Sequence, residues 1–259
     1  MDGQILIILA IALASALASP AGGLIAILLK PSSFILSLAV GFAAGVLLGT
    51  FAFEMVPKAL EQSSLTVAVI GFALGFTLVY ALDLFVNRGR MAGPQADQKE
   101  HVRAFHRRHR PHGGQVTVLA GATSAEELIE GLTIGVGAAI DPSVALIVGV
   151  AILVDNVSEA LSIGELVREE SPDTYRWRTL KWTGLIGVSL FVPAMAGWFF
   201  LHGLSGGPLG FLLATGAGGM FYLTVTDLVP EAEWHHYQQS SAIAIAAGFL
   251  TILVFSEMM

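Results

Sequence analysis

The chain has 259 residues, of which 54% are hydrophobic and only 13% charged, with a mean hydropathy of +0.73. That profile excludes a large soluble core and fits an all-α polytopic membrane protein. There is no cysteine, which rules out disulfides and thiolate ligands, and the net charge of −7 says little because the charges are so unevenly placed.

Eight apolar spans can be read, at about 4–29, 34–60, 64–87, 115–140, 142–168, 178–202, 207–232 and 239–257. Each matches a bilayer core that takes ~20 helical residues. The whole of 1–259 then forms a single transmembrane domain. The first span could be mistaken for a signal peptide. It has no basic n-region, carries Asp2 instead, and runs on to Leu29, so a retained helix is expected. With the N-terminus outside, every Lys and Arg except Lys58 falls on an inner connection, which places both termini outside. The long connection 88–114 is polar and basic, with His101, His106, His109 and His112. It reads as a linker; weak metal capture by its imidazoles is the sharper alternative. Glycines at four-residue spacing (Gly41, Gly45 and Gly49; Gly71 and Gly75; Gly131 and Gly135) read as helix-packing positions.

The chemistry sits in the fourth and fifth spans. Glu126, Glu127 and Glu130 put three carboxylates in five residues of an apolar stretch. Each costs roughly 2.5–3.5 kcal/mol at bilayer depth even on a lenient scale. The pattern returns 29 residues later as Asp155, Asn156 and Glu159. The i, i+3 and i, i+4 spacings turn each set towards one side of its helix. A short turn at Asp141 and Pro142 makes the two spans antiparallel neighbours. Glu127 and Asp155 each stand 14 residues from Asp141, and Glu126 and Asn156 each stand 15, so the two clusters are expected to meet near mid-depth. Five carboxylates so close cannot all be charged in a dry bundle. Either some hold protons or a cation sits among them. A protonated polar seam that only joins helices is the bland alternative. All the donors are oxygen, which suits Mg, Ca and Mn and is accepted by Fe and Zn.

A second echo links Glu54-Met55-Val56-Pro57 in span two to Asp227-Leu228-Val229-Pro230 in span seven. Both pairs of copies lie on helices crossing in opposite directions, as in the inverted repeats of secondary transporters. Each proline should kink its helix or free a carbonyl. Glu54 near one surface and Asp227 near the other would then be entrance and exit acids; each could instead merely reach for its interface. Glu231, Glu233, His235 and His236 form a further polar group after Asp227, read as an exposed loop or an exit site. Asp83 reads as an interface residue.

At these residues the chain resembles the ZIP (Zrt/Irt-like) family of divalent metal transporters. The family signature His-Asn-x-Pro-Glu-Gly has its counterpart in Glu126-Glu127-Leu128-Ile129-Glu130-Gly131, and the related hexad in Asp155-Asn156-Val157-Ser158-Glu159-Ala160. The span-two and span-seven echoes are similar to the family's Leu-Pro-Glu ends. The resemblance covers essentially the whole chain. It implies eight spans in an inverted 3+2+3 order, transport of divalent cations, and metal ligands at Glu126, Glu127, Glu130, Asp155, Asn156 and Glu159. Carboxylates stand where both signature histidines would be, and Ile129 and Ser158 where both prolines would be. The loss of imidazole widens the expected substrates beyond zinc, the family's commonest ion, to Mn and Fe, with Cd also within range.

The expected function is therefore membrane transport of divalent metal, with no enzymatic activity and no cofactor. A non-transporting metal sensor and a metal-dependent intramembrane enzyme are the alternatives. Expected partners are the metal ions and the lipid of a bacterial or archaeal plasma membrane, with no nucleic acid; a homodimer stays open.

Overall fold

A computed structural model describes residues 2–86, 115–233 and 237–258. His101, His106, His109, His112, His235 and His236 lie outside the described residues. Regular structure among those described is entirely helical. The helices are α1 (Asp2–Leu29), α2 (Ser33–Gln62), α3 (Leu65–Val86), α4 (Gln115–Ile140), α5 (Pro142–Glu170), α6 (Tyr175–Leu201), α7 (Gly206–Glu233) and α8 (Gln238–Glu257). In hydrocarbon a helix is the way for one segment to satisfy all of its own backbone groups. Among the described residues seven of these helices are long and apolar enough to cross a membrane. α4 is 26 residues long but carries Glu126, Glu127 and Glu130 in its middle.

The helix ends follow local chemistry. α1 stops at Lys30, whose φ of 48° is left-handed, with Pro31 immediately after. Ser32 caps α2 by accepting from the Ile35 N–H at 3.4 Å. Asp141 caps α5, its Oδ1 accepting from the Ser143 N–H at 2.8 Å and the Ser143 hydroxyl at 2.7 Å. Those two bonds hold the Asp141 carboxyl below the usual range. The ionised cap is thus stabilising above pH ~4, and its contribution is lost as pH falls through the depressed value.

The described helices pack in a definite set of pairs. α1 lies along α5 and α6, α4 along α6, α5 and α7, α2 along α8, α7 and α5, and α3 along α7. α2, α5 and α7 are the most enclosed, while α3 and α8 are the most peripheral. The glycines read as packing positions do bring backbones together. A methyl on Gly45 would run into the Ile245 carbonyl, and one on Gly248 into that of Phe42. Gly75 and Gly218 meet the Thr215 and Phe72 carbonyls in the same way across α3 and α7. Because the obstacle is backbone, Gly75→Ala should cost about 3 kcal/mol, the upper end of ordinary overpacking. Gly184→Ala, where the space beside the residue is open, should cost little. Thermal melts of the two variants in detergent check this; equal melting points would refute it.

The prolines of the second echo do something more specific than kink. Just before each, the helix widens into a π turn, at Phe51–Met55 in α2 and Thr224–Leu228 in α7. The Val56 N–H bonds to the Phe51 carbonyl and the Val229 N–H to that of Thr224, five residues back in both cases. Proline has no N–H for the carbonyl four residues back, and a turn one residue wider lets the ladder continue past it. Glu54 and Asp227 occupy the same place in the two π turns.

Candidate metal centre

α4 and α5 form an antiparallel hairpin closed at one end by the Asp141 turn. The other end is tied as well. Glu170, the last residue of α5, accepts from the Val116 N–H at 2.9 Å, satisfying one of the free donors of the first turn of α4. Arg178 at the start of α6 stands 4.0 Å from the same carboxylate. With both ends fixed, the polar clusters of the two helices are held in register midway.

Glu127, Glu130, Asp155 and Asn156 are buried, at 1%, 6%, 2% and 1% exposure. Glu126 and Glu159 are half-buried. The Asn156 side-chain amide donates towards Glu127 Oε2 at 3.5 Å and to the carbonyl of Ser15 at 3.3 Å. The meeting point is thus Glu127 with Asn156, one residue away from the pairing that counting from the turn gives. Both acceptors demand the amide nitrogen, which fixes the orientation of the group and turns Asn156 Oδ1 away from them. Three buried oxygens here, Glu127 Oε1, Asp155 Oδ1 and Asn156 Oδ1, have no hydrogen-bond partner. Buried acceptors are seldom left unmet, since each costs about 1–3 kcal/mol.

The acids form a connected electrostatic set. Glu126 lies within electrostatic reach of Asp227, Asp155 and Asp83, and Glu127 within reach of Glu159, Asp155 and Glu126. Glu231 is within the same reach of Asp155, Glu159 and Asp227. The set therefore extends from the hairpin towards the Arg178 end, where α7 finishes. Glu54 belongs to the opposite end, within reach of Lys58, Glu61 and Asp141. There Lys58 pairs with Glu61 at 3.0 Å. Among the described residues no three His, Asp or Glu side chains gather round one point as a ready-made metal cage. The acids run along the hairpin instead, and the Asn156 amide lies between them.

Ile129 and Ser158, at the positions of the signature prolines, leave both helices unbroken. The Thr133 hydroxyl bonds to the Ile129 carbonyl at 2.7 Å and the Ser158 hydroxyl to that of Asp155 at 2.8 Å. Two contributors escaped the sequence reading. Asp83 is more than an interface residue: its Oδ2 accepts the Tyr222 hydroxyl at 2.7 Å, next to Asp227 on α7. An acid standing alone in the apolar α3 run was the available signal. Ser15 holds α1 to α5 twice, through its hydroxyl on the Gly149 carbonyl at 2.9 Å and its own carbonyl on Asn156. A serine in an Ala-rich helix gives no such signal.

No family model matches the chain. Among curated proteins it is similar to the zinc transporter ZupT of Corynebacterium efficiens. The two are 28% identical over 262 aligned positions, which span 97% of this chain and 96% of the relative. The likeness therefore runs from end to end and takes in both halves of the hairpin. Together with the long apolar helices it makes the chain an integral membrane protein.

Proposed function

We propose that this chain is a member of the ZIP family and carries divalent metal cations across the membrane through the polar hairpin of α4 and α5. The observation that carries this reading is the trio of unpartnered buried oxygens at Glu127, Asp155 and Asn156. A cation would satisfy them and offset the charges that crowd there. Glu126, Glu130 and Glu159 complete the proposed ligand set. The likeness to ZupT, a zinc transporter, favours transport over an enzyme or a passive sensor. Zinc comes first by that likeness, and the all-oxygen donor set widens the range to Mn²⁺ and Fe²⁺.

Eight spans follow if α4 crosses along with the seven apolar helices, and the helix pairing supports an inverted repeat. Exchanging α1–α3 with α6–α8, and α4 with α5, turns α4·α6 into α5·α1, α2·α8 into α7·α3, and α2·α5 into α7·α4; each of these pairs is in contact. The same exchange maps one π turn onto the other and matches Pro20 inside α1 with Pro193 inside α6. By the placement of basic residues, the termini and the Asp141 turn face outside.

The test is uptake of Zn²⁺ and Mn²⁺ by liposomes containing the purified protein and a metal-sensing dye. Saturable uptake above that of empty liposomes is expected; none for either ion would refute the reading. On this orientation Glu54 lies on the entry side and Asp227 on the exit side. A charge at an entrance concentrates cations and acts on capture. Glu54→Gln should therefore raise the half-saturating concentration severalfold with little change in maximal rate. Asp227→Asn should mainly lower the maximal rate. Initial rates across a metal titration separate the two, and identical changes in both variants would contradict the placement.

A further inference from the structure

Serine and threonine in a membrane helix usually give their proton to the carbonyl one turn back, since lipid offers no other acceptor. This chain follows the habit. Thr50, Thr77, Ser124, Thr133, Thr215 and Thr224 each donate to the carbonyl four residues earlier, at 2.6–2.9 Å. Ser19 of α1 does not. It is 1% exposed, and its Oγ has no hydrogen-bond partner. The carbonyl it would use is that of Ser15, which already accepts from the Asn156 amide. The same oxygen also serves the helical ladder of α1, so both of its lone pairs are engaged.

The displaced hydroxyl has a definite place. Ser15 meets α5 at Asn156, and Gly22 packs against the Val157 backbone. Ser19 stands between these two contacts, one turn from Ser15 on the same face of α1. It is therefore an orphaned hydroxyl at the level of the orphaned Asn156 Oδ1. We infer that Ser19 is the contribution of α1 to the cation site, its oxygen joining Asn156 Oδ1 as a neutral donor beside the carboxylates of Glu127 and Asp155. This rests on the transport reading above and narrows its substrate class. Two carboxylates balance a divalent cation, and neutral oxygens fill the rest of its shell without adding repulsion. Such a shell favours oxygen-preferring ions such as Mn²⁺ over soft ones such as Cd²⁺.

The test uses the full chain in liposomes, with Mn²⁺ and Cd²⁺ as the probes. Ser19→Ala should raise the half-saturating Mn²⁺ concentration about tenfold, the scale on which lost supporting groups weaken metal sites. Ser19→Cys keeps the volume and substitutes a soft donor. It should shift the Cd²⁺ over Mn²⁺ preference by about tenfold or more, which a purely packing role would not do. Because the natural chain has no cysteine, that variant carries a single thiol. Bound metal should slow its alkylation by maleimide. If the parent moves Mn²⁺ while both variants keep its half-saturation and selectivity, and alkylation ignores metal, the inference is overturned and transport stands. If the parent moves neither Zn²⁺ nor Mn²⁺, it is the transport reading that fails.

Discussion

Glu130→Ala and Glu159→Ala should each reduce metal uptake by about a hundredfold or more, beyond the 10–100-fold that removing a mere supporting group costs. These are the two glutamates at equivalent places in the repeated motif, one on each arm of the hairpin. Glu130 is 6% exposed, so water is poorly placed to replace a lost carboxylate there. Neither change should unfold the chain, because each removes a charge from a region already crowded with like charges. Liposome uptake, with size-exclusion profiles as the folding control, decides the matter. Wild-type rates in both variants would show that the metal does not pass this hairpin.

The second large effect concerns metal choice. Glu126→His combined with Asp155→His places an imidazole on each arm. Imidazole favours zinc more than carboxylate does, so the Zn²⁺ to Mn²⁺ uptake ratio should rise by about tenfold or more. Carboxylates must lose their protons to ligate. In the parent the apparent affinity should therefore fall as pH falls, by about tenfold per pH unit for each proton displaced. Competition assays with Zn²⁺, Mn²⁺ and Fe²⁺ at two pH values test both halves. An unchanged order in the double variant, with pH-independent affinity in the parent, would remove Glu126 and Asp155 from any role in selecting the ion.

The polar residues were legible early because lipid makes them conspicuous. Every acid in an apolar span carries an energetic penalty, so Glu126, Glu127, Glu130, Asp155 and Glu159 could be found without any structure. The short turn at Asp141 then fixed their depth by counting alone, to within one residue of the Glu127–Asn156 contact. Glycine spacing likewise announced close backbone approach, seen at Gly45 and Gly75. It did not say which helix would come close.

Partner choice was left to the tertiary structure. A soluble helix shows its inner face by alternating apolar and polar residues. A helix in lipid is apolar all round and loses that signal. Nothing in the Ala- and Leu-rich run of α1 points to α5, yet α1 supplies the Ser15 carbonyl that orients Asn156 and the displaced hydroxyl of Ser19. The π turns were hidden for a related reason. Pro57 and Pro230 require an accommodation, and the packing of the whole helix determines whether it is a kink or a wider turn. The sequence by itself determined which side chains bring acidic groups into the apolar helices and at what level along the α4–α5 hairpin, because that depends on local composition and chain length. Only the tertiary structure decided which neutral groups stand beside them, because a serine costs little wherever it is placed and gains a role only from what packs against it.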